Sequence, residues 1–438
     1  MVKFWPHFAS IAAVVALSAC GDETRSKRSP RMDDELFASP SPSPEPTPQK
    51  PRGSPSLTII PPRSCEETDF PALEDVVVGL VRFIPSAMFA SLNGSTLGFT
   101  TGRMRSDCLY EDRVYLHQIR TDEFQPLATH LSAFPSYHPD DPRIYTDPHL
   151  ISVGDEFVTY TLGVHTEFND GNSMPLLIYN REGDYVGQTT GFGLGVDGSR
   201  ILAARREGNF LYDANTAQLD PLPFVRADPL KWGRNARERM TMKESTLAYV
   251  DIATGQRGVD FNASKQLYVV SLEGNVGDAR PRRVITPENW VINKLSLYGS
   301  KIAFSSVQET SSGSIIQRLS IIDIETEEIE TVYESSSPNA GIDLFSLSDR
   351  YLVYGGGEYG TAESRGDYVD VYNLATGETR QVLPTTRVSS IQLASIFHGH
   401  SLSVSGNLLA VSLNIHGGER DGQRGTVIAD LDAVGWTP

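Results

Sequence analysis

Ser346-Leu347-Ser348-Asp349-Arg350-Tyr351-Leu352-Val353-Tyr354 opens with small polar residues, turns, and runs into an apolar strand. Tyr368-Val369-Asp370-Val371-Tyr372-Asn373-Leu374 follows as a second apolar strand. Ala375-Thr376-Gly377-Glu378 then reads as a turn and Arg380-Gln381-Val382-Leu383 as a short closing strand. The copy before it runs from Ser296-Leu297-Tyr298-Gly299-Ser300 into Lys301-Ile302-Ala303-Phe304. It continues with Leu319 to Ile324, the turn Glu325-Thr326-Glu327, and Ile329 to Tyr333. Weaker copies start near Ser91, Ser152, Val196, Thr241 and Ser403. The anchors 91, 152, 196, 241, 296, 346 and 403 are spaced 61, 44, 45, 55, 50 and 57 residues apart. No long stretch has helical period. A return near every fifty residues, with three or four strands per unit, predicts the blades of a β-propeller. Gly, Asn and Asp between short strands fit hairpin turns. The fold class is therefore all-β, a propeller of seven blades, with six or eight left open by the degeneracy of the copies.

The units resemble the blades of TolB-like, WD40-like propellers. There a Ser-x-Asp-Gly-x-x-Ile-Ala-Phe strand leads to Val-x-Asp-Leu-x-Thr-Gly-Glu and a closing strand. The likeness covers most of residues 85 to 434 and implies a fold rather than a function, because such blades recur in proteins with unrelated roles. The last copy ends at Thr426-Val427-Ile428-Ala429-Asp430-Leu431, one strand short. Asp75 to Ile84 stands before the first copy with no blade of its own. It is expected to supply the missing outer strand, closing the ring and removing exposed sheet edges.

The first twenty residues begin with Lys3, continue with the apolar run Phe8 to Leu17, and end Leu17-Ser18-Ala19-Cys20. The run is too short to span a bilayer, which takes about 20 residues, and has the order of a signal-peptide core. Its end resembles the lipobox of bacterial lipoproteins. That resemblance implies removal of residues 1–19, a diacylglyceryl group on Cys20, and a membrane anchor worth about 0.8 kcal/mol per buried methylene. Gly21 rather than an aspartate after the cysteine favours the outer membrane where there is one. Residues 20–63 read as a disordered tether: Ser39 to Pro48 alternates proline with Ser, Glu and Thr and has almost nothing apolar to bury. Residues 64–438 are then the propeller domain.

The formal net charge is −17, and residues 1–63 contribute +2 of it, so the domain carries about −19. That argues against nucleic acid and against a domain lying flat on anionic lipid. With Cys20 taken by lipid, Cys65 and Cys108 remain. An even pair in an exported chain is expected to form a disulfide, worth roughly 4 kcal/mol in the chain-entropy model. No Cys/His spacing resembles a zinc site, and no cofactor or metal is expected.

The long insertions fall between blades at His130 to His149, Phe224 to Met240 and Pro384 to Ser401. Within blades they fall at Gln308 to Gln317, Gly355 to Asp367 and Asn414 to Gly425. In a propeller these connections share one face, and loops carry function more often than scaffold does. The candidate binding residues there are Tyr137, His138, Asp140 and Arg143; Trp232, Arg234 and Arg237; and the alternate pair His398 and His400, which on a strand would face one way. No Gly-x-Ser-x-Gly elbow, phosphate-binding loop or His-Glu-x-x-His is present. Three functions fit: a monomeric module binding an envelope protein or peptide, an envelope hydrolase or lyase acting on a sugar or lactone, and a surface adhesin. The first is the reading adopted from the sequence. Catalysis by residues gathered on the axis from different blades is not visible in one sequence.

Overall fold

A computed structural model gives the fold. It describes residues 76–78, 81–104, 110–127, 133–134, 144–145, 151–161, 165–166, 175–205, 208–225, 240–252, 265–284, 286–287, 290–309, 315–335, 340–358, 366–383, 390–393, 402–416 and 424–433. Seven antiparallel sheets of four or more strands follow one another. Blade 1 is Met88–Asn93, Thr96–Met104, Tyr110–Gln118 and Glu123–Pro126. Blade 2 is Ile151–Val153, Phe157–Thr161, Pro175–Asn180 and Tyr185–Thr190. Blade 3 is Phe192–Asp197, Arg200–Arg205, Gly208–Asp213 and Gln218–Pro221. Blade 4 is Met240–Lys243, Thr246–Ile252, Lys265–Ser271 and Arg282–Val284. Blade 5 is Val291–Tyr298, Lys301–Glu309, Ile315–Asp323 and Ile329–Ser335. Blade 6 is Ala340–Leu347, Tyr351–Glu358, Gly366–Asn373 and Thr379–Leu383. The first strands of successive blades touch in a closed cycle that returns from blade 7 to blade 1. They are therefore the inner strands around an axis, and the fold is a seven-bladed β-propeller. All seven sequence anchors lie on these inner strands.

Blade 7 is completed from the other end of the domain. Leu402–Ser405, Leu408–His416 and Arg424–Asp430 are followed outward by Val81–Pro85 and then Val76–Val78. Val81 pairs with Ala429 and Pro85 with Gly425, antiparallel. The closure is the one expected, but the segment read as a single outer strand forms two, Val76–Val78 pairing antiparallel with Val81–Pro85. Alternate residues of the closing strand enter two different seams. Phe83 packs with Tyr351, Val371, Val411 and Val427 between blades 6 and 7. Ile84 packs with Leu92, Leu97 and Phe99 between blades 7 and 1.

The apolar interior is divided the same way. Seven hydrophobic clusters occupy the seven seams, each built from facing sides of adjacent sheets. Phe157–Thr161 is buried at all five positions, because a sheet covered on both faces reads as a continuous apolar run.

Hydroxyls stitch four of the seams, and this explains the serine that opens those repeats. The Oγ of Ser91 accepts from the N–H of Val153 in the next blade at 3.2 Å. Ser296 does the same for Leu347 at 3.0 Å, Ser346 for Val404 at 3.2 Å, and Ser403 for Leu92 at 3.1 Å. Where Val196 has no hydroxyl, the carboxylate of Asp197 accepts from Ser245 N–H at 2.8 Å. A second row sits further along. Ser412 accepts from Ala90 N–H (3.3 Å) and Thr161 from Gly193 N–H (3.0 Å), both donors lying where the inner strand bulges.

The Thr-Gly-Glu-like turn has a matching cause. Asp213, Asp323 and Asn373 end the third strands of blades 3, 5 and 6. Each accepts through one side-chain oxygen from the N–H groups two and three residues on. Thr216, Thr326 and Thr376 then accept from the N–H two residues further. The residue between is left-handed: Gly377 (φ 71°) in blade 6, but Ala217 (φ 56°) and Glu327 (φ 60°) in the other two.

One expected loop is shorter than the sequence reading gave. Gly355-Gly356-Gly357 continues a strand to Glu358. A Cβ on Gly356 would lie 1.8 Å from the carbonyl oxygen of Gly341, so the glycine run marks a close backbone approach within the sheet. Strands likewise extend into the expected loops at 308–317 and 414–425.

Candidate functional site

The strand order fixes two ends of the ring. Inner strands run from the end where blades connect toward the end where each inner hairpin turns, and those hairpins close in two or three residues. The connections at the opposite end include 128–150, 226–239, 253–264 and 384–389. Tyr137, His138, Asp140, Arg143, Trp232, Arg234, Arg237, His398 and His400 all lie outside the described residues, as do Cys20, Cys65 and Cys108. What the structure gives is where the flanking strands stand. The three segments that carry the candidates lead into Ile151, Met240 and Leu402, which begin the inner strands of blades 2, 4 and 7.

Blade 7 departs from the others here. In blades 3, 5 and 6 the inner strand carries a one-residue bulge. In blade 7, Leu393 pairs with Leu413 and Leu402 with Val411, so two separate segments pair with the strand Leu408–His416 on either side of Ser412. His398 and His400 fall between those two segments in the sequence and lie outside the described residues.

On blade 5, toward the connection end, the Arg318 guanidinium lies 4.9 Å over the Trp290 ring. It donates to Glu334 (2.7 Å) and Gln308 (2.7 Å), which fixes its plane. Ser306, 1% exposed, pairs directly with Arg318 across the sheet, and its buried hydroxyl has no hydrogen-bond partner. Sequence reading missed this cluster because its members are adjacent only across the sheet.

The turn end is a rim of charge. Asn93 donates to Asp155 at 2.9 Å, and Lys243 of blade 4 reaches past blade 3 to the same carboxylate at 3.7 Å. Burial, then Asp349, Glu244 and Asp155, push the Tyr298 hydroxyl up. The carboxylates of three blades thus act on one phenol. Arginines bridge neighbouring blades further out: Arg181 to Thr96, Arg200 to the Leu272 carbonyl, Arg282 to Glu327, and Arg350 to Asp432. Arg82 of the closing strand donates to Asp122 (2.8 Å) and to the Ile119 carbonyl (2.7 Å) of blade 1. The same Asp122 meets the buried His117 ring nitrogen at 3.0 Å. These polar groups are spent on the scaffold. Among the described residues no three His, Cys, Asp or Glu side chains gather as metal ligands.

No protein-family model matches the sequence, and no curated protein matches it. Solved structures do. The β-propeller domain of the trilobed protease from Pyrococcus furiosus, described as having an open velcro topology, superposes with a TM-score of 0.51. The identity is 10% over 81% of this chain and 95% of that one. An oligogalacturonate lyase in complex with manganese gives a TM-score of 0.47 at 15% identity, over 84% of this chain and 97% of that one. A Pyrococcus horikoshii acylaminoacyl peptidase gives 0.47 at 8% identity, over 75% of this chain and 49% of that one. At such identities the likeness is one of fold: this chain carries a β-propeller similar to the propeller domain of the trilobed protease. In this chain the closing blade is finished by strands from residues 76–85.

Proposed function

We propose that the chain is an exported lipoprotein, anchored through Cys20, whose propeller binds an envelope protein or peptide at the connection end of the ring. One observation carries this reading: the two ends are built differently. At the turn end every inner hairpin is minimal and its polar groups are taken by neighbouring blades. At the other end the long connections lead into the starts of the inner strands of blades 2, 4 and 7. A rigid ring presenting variable segments at one end is how scaffolds commonly position recognition residues.

The test is capture of partners from envelope extract by the full chain in detergent, with short-range crosslinking read by mass spectrometry. The reading expects one partner, crosslinked repeatedly to 128–150, 226–239 or 384–401 and lost when those segments are scrambled. A partner retained by the scrambled chain defeats it. So does turnover of a sugar or lactone substrate without a partner, which would install the hydrolase or lyase reading instead. Anchoring is tested separately: radiolabelled fatty acid enters the chain and is lost in Cys20→Ser.

A further inference from the structure

The strand that closes the ring is joined to blade 1 by two residues, Ser86 and Ala87, which stand between Val81–Pro85 and Met88–Asn93. That link is strained. Ser86 has φ 60°, and Phe89, in the bulge that follows, has φ 57°. The left-handed region crowds the Cβ of any L-residue and is routine only for glycine, and a bulky side chain there is an outlier. Among the described residues, the other five left-handed positions that are not glycine all lie in hairpin turns. Blades 2 and 3 are joined even more tightly, by one residue between Thr190 and Phe192, and there the chain uses Gly191 (φ 116°). The closing strand thus hangs on a link whose sequence does not suit its conformation.

What the strand touches belongs to the ring and not to the link. Val81 to Pro85 pair with Ala429 to Gly425. Phe83 and Ile84 fill the seams on either side of blade 7. Arg82 donates to Asp122 and to the Ile119 carbonyl of blade 1. The same strand supplied by a second copy would make every one of these contacts unchanged. Only the link would differ, and it would be free to extend. We propose that the closing strand is exchanged between two copies of this chain, each ring being finished by residues 76–85 of the other, with the strain at Ser86 setting the balance between closed monomer and exchanged dimer. Exchange of an identical element is a low-cost route to a dimer, and a short link under strain favours it. The inference is independent of what binds at the connection end.

Val81→Cys/Ala429→Cys in the full chain in detergent reads the exchange, because the two positions are partners across the closing pair. Size-exclusion chromatography over a concentration series is followed by a non-reducing gel of each peak. The chain without the added pair controls for its own three cysteines. A dimer peak is expected in which the engineered bond joins two chains, beside a monomer peak in which it lies within one. Ser86→Gly, at ease in the left-handed region, should weaken the dimer roughly tenfold. Ser86→Val, β-branched and ill suited to it, should strengthen the dimer to a similar degree. A dimer whose engineered bond stays within each chain overturns the exchange, as does a chain that is monomeric at every concentration. A dimer indifferent to both Ser86 substitutions overturns the role given to the link.

Discussion

Ring closure rests on two side chains, and their removal gives the sharpest test of the fold. Phe83 is 2% exposed and Ile84 fully buried, and they point into different seams. A Cβ on Gly425 would lie 2.4 Å from the Phe83 ring, so the ring sits directly on the partner strand. Truncating a buried Phe to Ala costs about 3–5 kcal/mol and a buried Ile about 2–5 kcal/mol. Working values are about 4 kcal/mol for Phe83→Ala and about 3 kcal/mol for Ile84→Ala. Against a whole-domain stability of about 5–15 kcal/mol, either change should move the urea midpoint clearly. The double variant should lose less than the sum, because both residues ride on one strand and, once it is released, the second truncation removes little. Urea unfolding followed by tryptophan fluorescence measures this. If each single variant loses under about 0.5 kcal/mol, the range of ordinary surface substitutions, Val81–Pro85 is an ornament rather than part of blade 7.

Ser346→Ala removes the acceptor for Val404 N–H inside a seam, an unmet buried donor costing about 1–3 kcal/mol. Thermal unfolding should show the loss, with Ser346→Thr retaining most of it. Ala217→Gly relieves a left-handed alanine. The strain of about 1–2 kcal/mol, less about 0.5–1 kcal/mol for the added freedom of glycine, leaves a gain of about 0.5–1 kcal/mol, read as a raised urea midpoint. Burial raises the Asp323 carboxyl. Hydrogen bonds from Glu325 N–H, the Ser300 hydroxyl and Thr326 N–H, with the charge of Lys301, outweigh it and hold the group below its ordinary 3.8. Asp213 behaves alike, with burial opposed by Thr216, Ser199 and Asn215. A lowered folded-state value means stability present above 3.8 and lost as pH falls through the folded value. Asp213→Asn/Asp323→Asn, copying Asn373 of blade 6, should keep the turns at neutral pH and flatten the acid decline measured by denaturation below pH 4.

The repeat was legible because four of the seven seams use the same chemistry. Ser91, Ser296, Ser346 and Ser403 recur at blade spacing since each takes the N–H of the following inner strand. Asp323 and Asn373 recur before a threonine because the turn needs both acceptors. The closing strand was legible as one surplus and one deficit. Other features left no local trace. Gly355 to Gly357 looks like a loop until Gly341 is seen against it. Trp290, Arg318 and Ser306 meet only through the register of blade 5.

The closing blade also sets a clock. Thr426 donates to the Ala87 carbonyl from 339 residues away, and the strand Val81–Pro85 pairs with residues made just as late. At about 5–20 residues per second, synthesis of the intervening chain takes roughly 17–70 s. Through all of it Phe83 and Ile84 are on the nascent chain without the strand they need. The ring cannot be finished blade by blade. Its earliest strand is held in reserve until the last blade arrives, and for that interval a chaperone, or a chain kept unfolded, has an apolar segment to hold.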